Sequence, residues 1–150
     1  NADKSYKNSK LCNILFAKEL TKKLEIRKSK ISVVTWAPGL VIPNQELGFF
    51  RYSSKFNQIG YFLFSSLAKN ILGITESVED AGKILHDIAL DKKYDELSYI
   101  HLSNKLISFR NHKLCRVKVS EEANNSSLAS KLWSFSEKVC LSFGIILFDL

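Results

Sequence analysis

Apolar residues recur at intervals of three and four from Tyr6 to Leu24, at Leu11, Ile14, Leu15, Leu20 and Leu24, while Lys18, Lys22 and Lys23 fall on other faces. That period predicts an amphipathic helix. The next run, Ile31-Ser32-Val33-Val34-Thr35-Trp36, is short, rich in β-branched residues and nearly continuous in apolarity. It predicts a strand buried on both faces of a parallel sheet. Ala37-Pro38-Gly39 ends that strand, because proline has no N–H to donate and glycine permits a sharp turn. From Leu40 to Asn57 the period is lost and aromatics gather, Phe49, Phe50, Tyr52 and Phe56 among Arg51 and Lys55. This reads as a long active-site loop or lid.

Ile59 to Leu72 predicts a helix buried over much of its circumference, with Gly73 as its stop. A further helix is expected from the acidic cluster Glu76, Glu79 and Asp80 to about Leu90, with Ala81, Ile84, Leu85, Ile88 and Ala89 inward and His86 solvated. Leu97 to Leu102 alternates and reads as a short strand at a sheet edge. The basic stretch that follows, to Val119, fits either a hairpin or a loop crossing the sheet. Ser120-Glu121-Glu122 predicts the capped start of a last helix with the stripe Leu128, Leu132, Phe135 and Val139, beside which Trp133 lies. Helix, buried strand, turn, helices, strand and helix together predict an α/β fold.

Composition adds less. The 150 residues are 45% hydrophobic and 25% charged, ordinary for one globular domain or a part of one. A net charge of +7 favours anionic partners without choosing among nucleic acid, a membrane surface and a phosphate-bearing cofactor. Cys12, Cys115 and Cys140 have neither disulfide-framework nor metal-ligand spacing, and no apolar run approaches about 18 residues. A reducing compartment and a soluble or peripherally bound protein are therefore expected. The run Lys18, Lys22, Lys23, Arg27, Lys28 and Lys30 raises a non-catalytic basic module, but no nucleic-acid-binding motif accompanies it, so no nucleic-acid partner is expected. With no methionine and a motif at its very start, the chain reads as the C-terminal part of something longer.

The chemistry-bearing feature is Tyr6-Lys7-Asn8-Ser9-Lys10. Tyrosine and lysine four apart share a helix face, and an ammonium beside a phenol favours the ionised form, so the pair can build a proton donor that works near neutral pH. A Tyr-x-x-x-Lys helix, a strand and then Pro38-Gly39 resemble the C-terminal half of the short-chain dehydrogenase/reductase family. The run Tyr6 to Asn13, together with Val119-Ser120-Glu121-Glu122-Ala123 and Lys131-Leu132-Trp133-Ser134-Phe135-Ser136-Glu137-Lys138, is similar to the light-dependent protochlorophyllide oxidoreductase branch of that family.

The resemblance implies the C-terminal half of a Rossmann-like doubly wound parallel sheet with flanking helices, lying within a single NADP-binding domain. It implies NADPH as cofactor, protochlorophyllide or another small molecule as substrate, and a location in the cytoplasm or peripheral to photosynthetic membranes, with self-association left open. Tyr6 would donate or position a proton, and Lys10 would hold the nicotinamide ribose. Pro38, Gly39 and Val41 would line the nicotinamide pocket, and Leu40, Phe50 and Tyr52 would face the substrate. Two positions depart from the family pattern: Pro43 stands where a threonine is usual, and Leu40 where protochlorophyllide reductases usually have cysteine. Another carbonyl or enone substrate is therefore the alternative. The six glycines never cluster into a pyrophosphate-binding turn. Weak NADPH binding by these residues alone is expected.

Overall fold

The computed structural model describes residues 2–42, 57–95 and 97–145. The elements are α1 (Ala2–Ile26), β1 (Val33–Ala37), β2 (Leu40–Val41), α2 (Gln58–Ser66) continued by a π-helical turn (Leu67–Leu72), β3 (Thr75–Glu76), α3 (Val78–Leu90), β4 (Tyr99–Ser108), β5 (Asn111–Arg116) and α4 (Ser126–Ser142). One sheet has the order β1-β4-β5 and a second pairs β2 with β3. Val33 N–H donates to Ser98 O and the Thr35 hydroxyl to Ile100 O, the same offset along both strands, so β1 and β4 run parallel. β5 returns antiparallel to β4. The fold is α/β, and the larger sheet is mixed where an all-parallel one was expected.

The chain forms two compact units. One holds residues Tyr6–Thr35, Lys92–His101 and Lys118–Leu150; the other holds Asn1–Ser5, Trp36–Asp91 and Leu102–Val117. In the first, the Tyr6-bearing unit, α1 buries Leu15, Ala17 and Leu24, and α4 buries Ala129 and Trp133. The Phe16 and Trp133 rings stack with centroids 4.9 Å apart, and Lys23 Nζ lies 5.0 Å from the Trp133 centroid. The indole N–H donates to Glu137 Oε1 at 2.6 Å, so this ring is held by a stacked ring, a cation and a hydrogen bond at its edge. α1 stops where Lys28 takes a left-handed φ of 54° and Ser29 N–H returns to Leu24 O.

In the Pro–Gly-bearing unit, Asn57 caps α2 by accepting from Ile59 and Gly60 N–H. Gly73 closes the π-helical turn at φ 59°, and a Cβ there would meet Arg110 Cγ at 2.5 Å. Arg110, at the hairpin tip, donates its backbone N–H to Gly73 O and its guanidinium to Asn70 O. Only glycine gives both the left-handed turn and the room for that latch.

Several sequence expectations change. β1 is half-buried along its whole length rather than buried on both faces. Among the described residues the helix after residue 57 buries only Ala68, while Ile59, Phe62, Leu63, Leu67 and Ile71 are exposed, because apolarity alone does not supply a partner surface. Of the residues expected inward on α3, Ile88 is buried but Leu85 and Ala89 are exposed. Ser77 caps that helix, accepting from Asp80 N–H and donating to Asp80 Oδ2, whereas Thr75 and Glu76 are drawn into β3. β4 is the central strand, not an edge, since β5 covers its other side. The basic stretch is the second arm of a hairpin. α4 is capped by Asn125, and Ser120 caps the short turn before it. Its buried line is Ala129 and Trp133, one position on from the expected Leu128 and Leu132.

Candidate functional site

Because α1 begins at Ala2, Tyr6 stands in its second turn and Lys10 one turn further on. Lys10 Nζ lies 5.2 Å from the Tyr6 ring centroid, a cation–π distance, and Tyr6 keeps 43% of its surface exposed. The Ser9 hydroxyl donates to Tyr6 O at 2.7 Å. The phenol and ammonium expected to act together thus share one accessible helix face, with the cation over the ring.

Pro38, Gly39, Leu40 and Val41 belong to the other unit. Gly39 has φ +85°, and a Cβ there would lie 3.3 Å from Asn104 O. Next, Leu40 and Val41 pair in parallel with Thr75 and Glu76, which places Val41 and Glu76 on one face of the ladder. Behind this segment Glu76 Oε1 accepts from Asn104 Nδ2 and from His112 Nδ1, each at 2.7 Å. Glu76 and Asn104 are 8% and 6% exposed. Asn104 therefore meets the Pro–Gly turn with its carbonyl and the buried carboxylate with its amide. Phe50, Tyr52 and Pro43 lie outside the described residues.

A second polar cluster sits in the Tyr6-bearing unit. Thr35 Oγ1 is 2.9 Å from the Tyr99 hydroxyl and 2.8 Å from His101 Nδ1. Burial raises the Tyr99 phenol above its ordinary value, with the Thr35 hydrogen bond opposing. Burial also lowers the His101 imidazole, opposed by a hydrogen bond with the Thr35 backbone. Both shifts favour the neutral forms; with its one proton on Ile100 O, the Thr35 hydroxyl can accept from the Tyr99 phenol and from the N–H of a neutral His101 imidazole. Nothing in the periodicity singled out this trio. The only local signal is the i, i+2 placement of Tyr99 and His101 on one strand face; Thr35 is more than sixty positions away.

Among curated proteins, the chain is 31% identical over 139 residues to the chloroplastic protochlorophyllide reductase of Marchantia paleacea, covering 91% of this chain and 27% of that protein. It is 29% identical over 137 residues to the chloroplastic protochlorophyllide reductase B of Oryza sativa subsp. japonica, covering 91% of this chain and 31% of that protein. The chain is a partial relative of protochlorophyllide reductases. A third chloroplastic protochlorophyllide reductase, from Pisum sativum, is 30% identical over 139 residues, again covering 91% of this chain and 31% of that protein. The chain thus spans less than a third of the length of these reductases. No protein-family model matches it. The three relatives are oxidoreductases by name, and the likeness runs through nearly all of this chain. Among the described residues, no helix is long and apolar enough to cross a membrane, and no group of three or more His, Cys, Asp or Glu could hold a metal ion.

Proposed function

We propose that these residues are the C-terminal, Tyr-Lys-bearing part of a diverged short-chain reductase that reduces protochlorophyllide to chlorophyllide with NADPH and light. The observation that carries this reading is the match to three protochlorophyllide reductases over 91% of the chain. The enclosing domain would be a Rossmann-like doubly wound sheet, of which these strands are a portion, in a photosynthetic cell and peripheral to its membranes.

The residues present suit the nicotinamide end of NADPH. Tyr6 and Lys10 offer a hydroxyl and an ammonium from one open face, as a ribose and a proton acceptor require, and exposed Gly39 leaves its backbone approachable. The described glycines form no phosphate-binding turn, so the pyrophosphate needs groups from elsewhere in the protein. NADPH, when bound, supplies a hydride to one carbon of the ring double bond. Tyr6 delivers or positions the proton for the neighbouring carbon and Lys10 holds the ribose hydroxyls, while by the family resemblance Pro38, Gly39 and Val41 would serve the nicotinamide and Leu40 the substrate. Leu40, half-buried in β2, has no proton to give, and this favours a second reading: a dark reductase of another carbonyl or enone.

The test is to illuminate the full-length protein with protochlorophyllide and NADPH and follow the red shift of pigment absorbance. Product formed only in light, and lost in Tyr6→Phe with pigment still bound, supports the first reading. Dark reduction of a small ketone with no pigment turnover supports the second, and a folded protein with neither activity refutes both.

A further inference from the structure

The Tyr6-bearing unit holds a cleft of about 270 Å³ that the proposed reaction does not use, lined among others by Lys18, Glu19, Lys22, Tyr99, Asn124 and Ser126. The start of α4 lines it. α4, seventeen residues long, starts at Ser126, and its cap Asn125 takes only Leu128 N–H with its side chain, so the positive end of the helix dipole is offered to the cleft. Lys22, which is exposed, lines the same cleft. Lys18 is already engaged, donating to Asn124 Oδ1 and lying 5.5 Å from the Tyr99 ring centroid.

The other feature has the opposite sign. Glu19 lines the same cleft, is only 7% exposed, and receives no hydrogen bond or ion pair among the described residues. Carboxylates buried to that degree are ordinarily given donors by their own chain. The Glu19 oxygens reach the solvent of the cleft and have no donor from the chain among the described residues, so an entering ligand can take the place of water there, and a charged donor matches a carboxylate best. We propose that the cleft binds a small zwitterion, with its ammonium on Glu19 and its oxyanion at the start of α4 beside Lys22. The site stands apart from the reductase reading and survives its failure.

Four probes decide it by titration of ¹⁵N-labelled protein: phosphoethanolamine, β-alanine, inorganic phosphate and ethanolamine. At least one zwitterion should give saturable shifts at the Ser126, Ser127 and Leu128 amides and bind about tenfold more tightly than either single-ended probe, as one charge-assisted hydrogen bond more would give. The tighter of the two zwitterions tells phosphate from carboxylate. Glu19→Gln should bring that zwitterion down to the level of inorganic phosphate, and Lys22→Ala should weaken every oxyanion-bearing probe. Phosphate alone binding as tightly, shifts confined to other residues, or affinity unchanged in Glu19→Gln would each overturn the proposal. Should Glu19→Gln not fold, the comparison of two-ended with one-ended probes on the parent protein decides.

Discussion

Replacing Glu76 with alanine removes the one oxygen that accepts from both Asn104 Nδ2 and His112 Nδ1. Each buried donor left without an acceptor costs about 1–3 kcal/mol. Asn104, 6% exposed, is expected near the upper end of that range, and His112, whose side chain is 11% exposed and can recruit water, near the lower. Their sum is a loss of about 4 kcal/mol. Glu76→Gln keeps a side-chain oxygen in place and should cost about 1 kcal/mol, the difference between a charged and a neutral acceptor. The two tryptophans make the measurement specific: Trp36 belongs to the Pro–Gly-bearing unit and Trp133 to the other. Urea unfolding followed by fluorescence in a Trp133→Phe background reports the unit that contains Glu76. A double-mutant cycle with Asn104→Ala should show a coupling of about 1–3 kcal/mol. If Glu76→Ala loses less than about 1 kcal/mol, or Glu76→Gln loses as much as Glu76→Ala, the carboxylate is not the clasp described above.

Gly39→Ala should lose about 1–2 kcal/mol in the same assay, because alanine resists φ +85° and its methyl would press on Asn104 O. Trp133→Ala should lose about 3–5 kcal/mol and remove the Phe16 stack; a loss under about 1 kcal/mol would contradict its place in the core. The pH dependence has a definite sign. With His101 lowered by burial, the unfolded chain takes up a proton first as pH falls, so this group's contribution is fully present above roughly pH 6.5 and is lost as pH drops through the folded-state value. His101→Gln should flatten that acid limb, and an unchanged slope would show that the limb arises elsewhere.

Local pattern carried the elements further than it carried their surroundings. The first helix, the strand ending at the Pro–Gly turn, and the helices after Asn57, Ser77 and Asn125 were visible because each is a run of neighbours with a period and a stop. Burial was less visible, since it depends on a partner surface. Ile59, Phe62 and Leu63 have the apolarity of a core helix and are exposed, while one large ring at Trp133 draws the inward face of α4 one position away from the stripe of leucines. Tyr6 and Lys10 were legible for the same reason as the helix that carries them. The Glu76, Asn104 and His112 clasp was not, because its members come from three strands and meet only once β3 and the hairpin have formed.

Both units are stitched from three separated stretches of chain, and the last stretch of the Pro–Gly-bearing unit ends at Val117. Neither can be excised as a continuous fragment. During synthesis the Pro–Gly turn is made long before the strand that presses on it, so Gly39 and Glu76 must wait, exposed, for Asn104 and His112 to emerge. Such long-range closure slows folding. The nascent chain consequently carries Ile42 and Ala68, which the finished Pro–Gly-bearing unit buries, into solution before that unit can close, and this interval is where chaperone capture or aggregation would compete with folding.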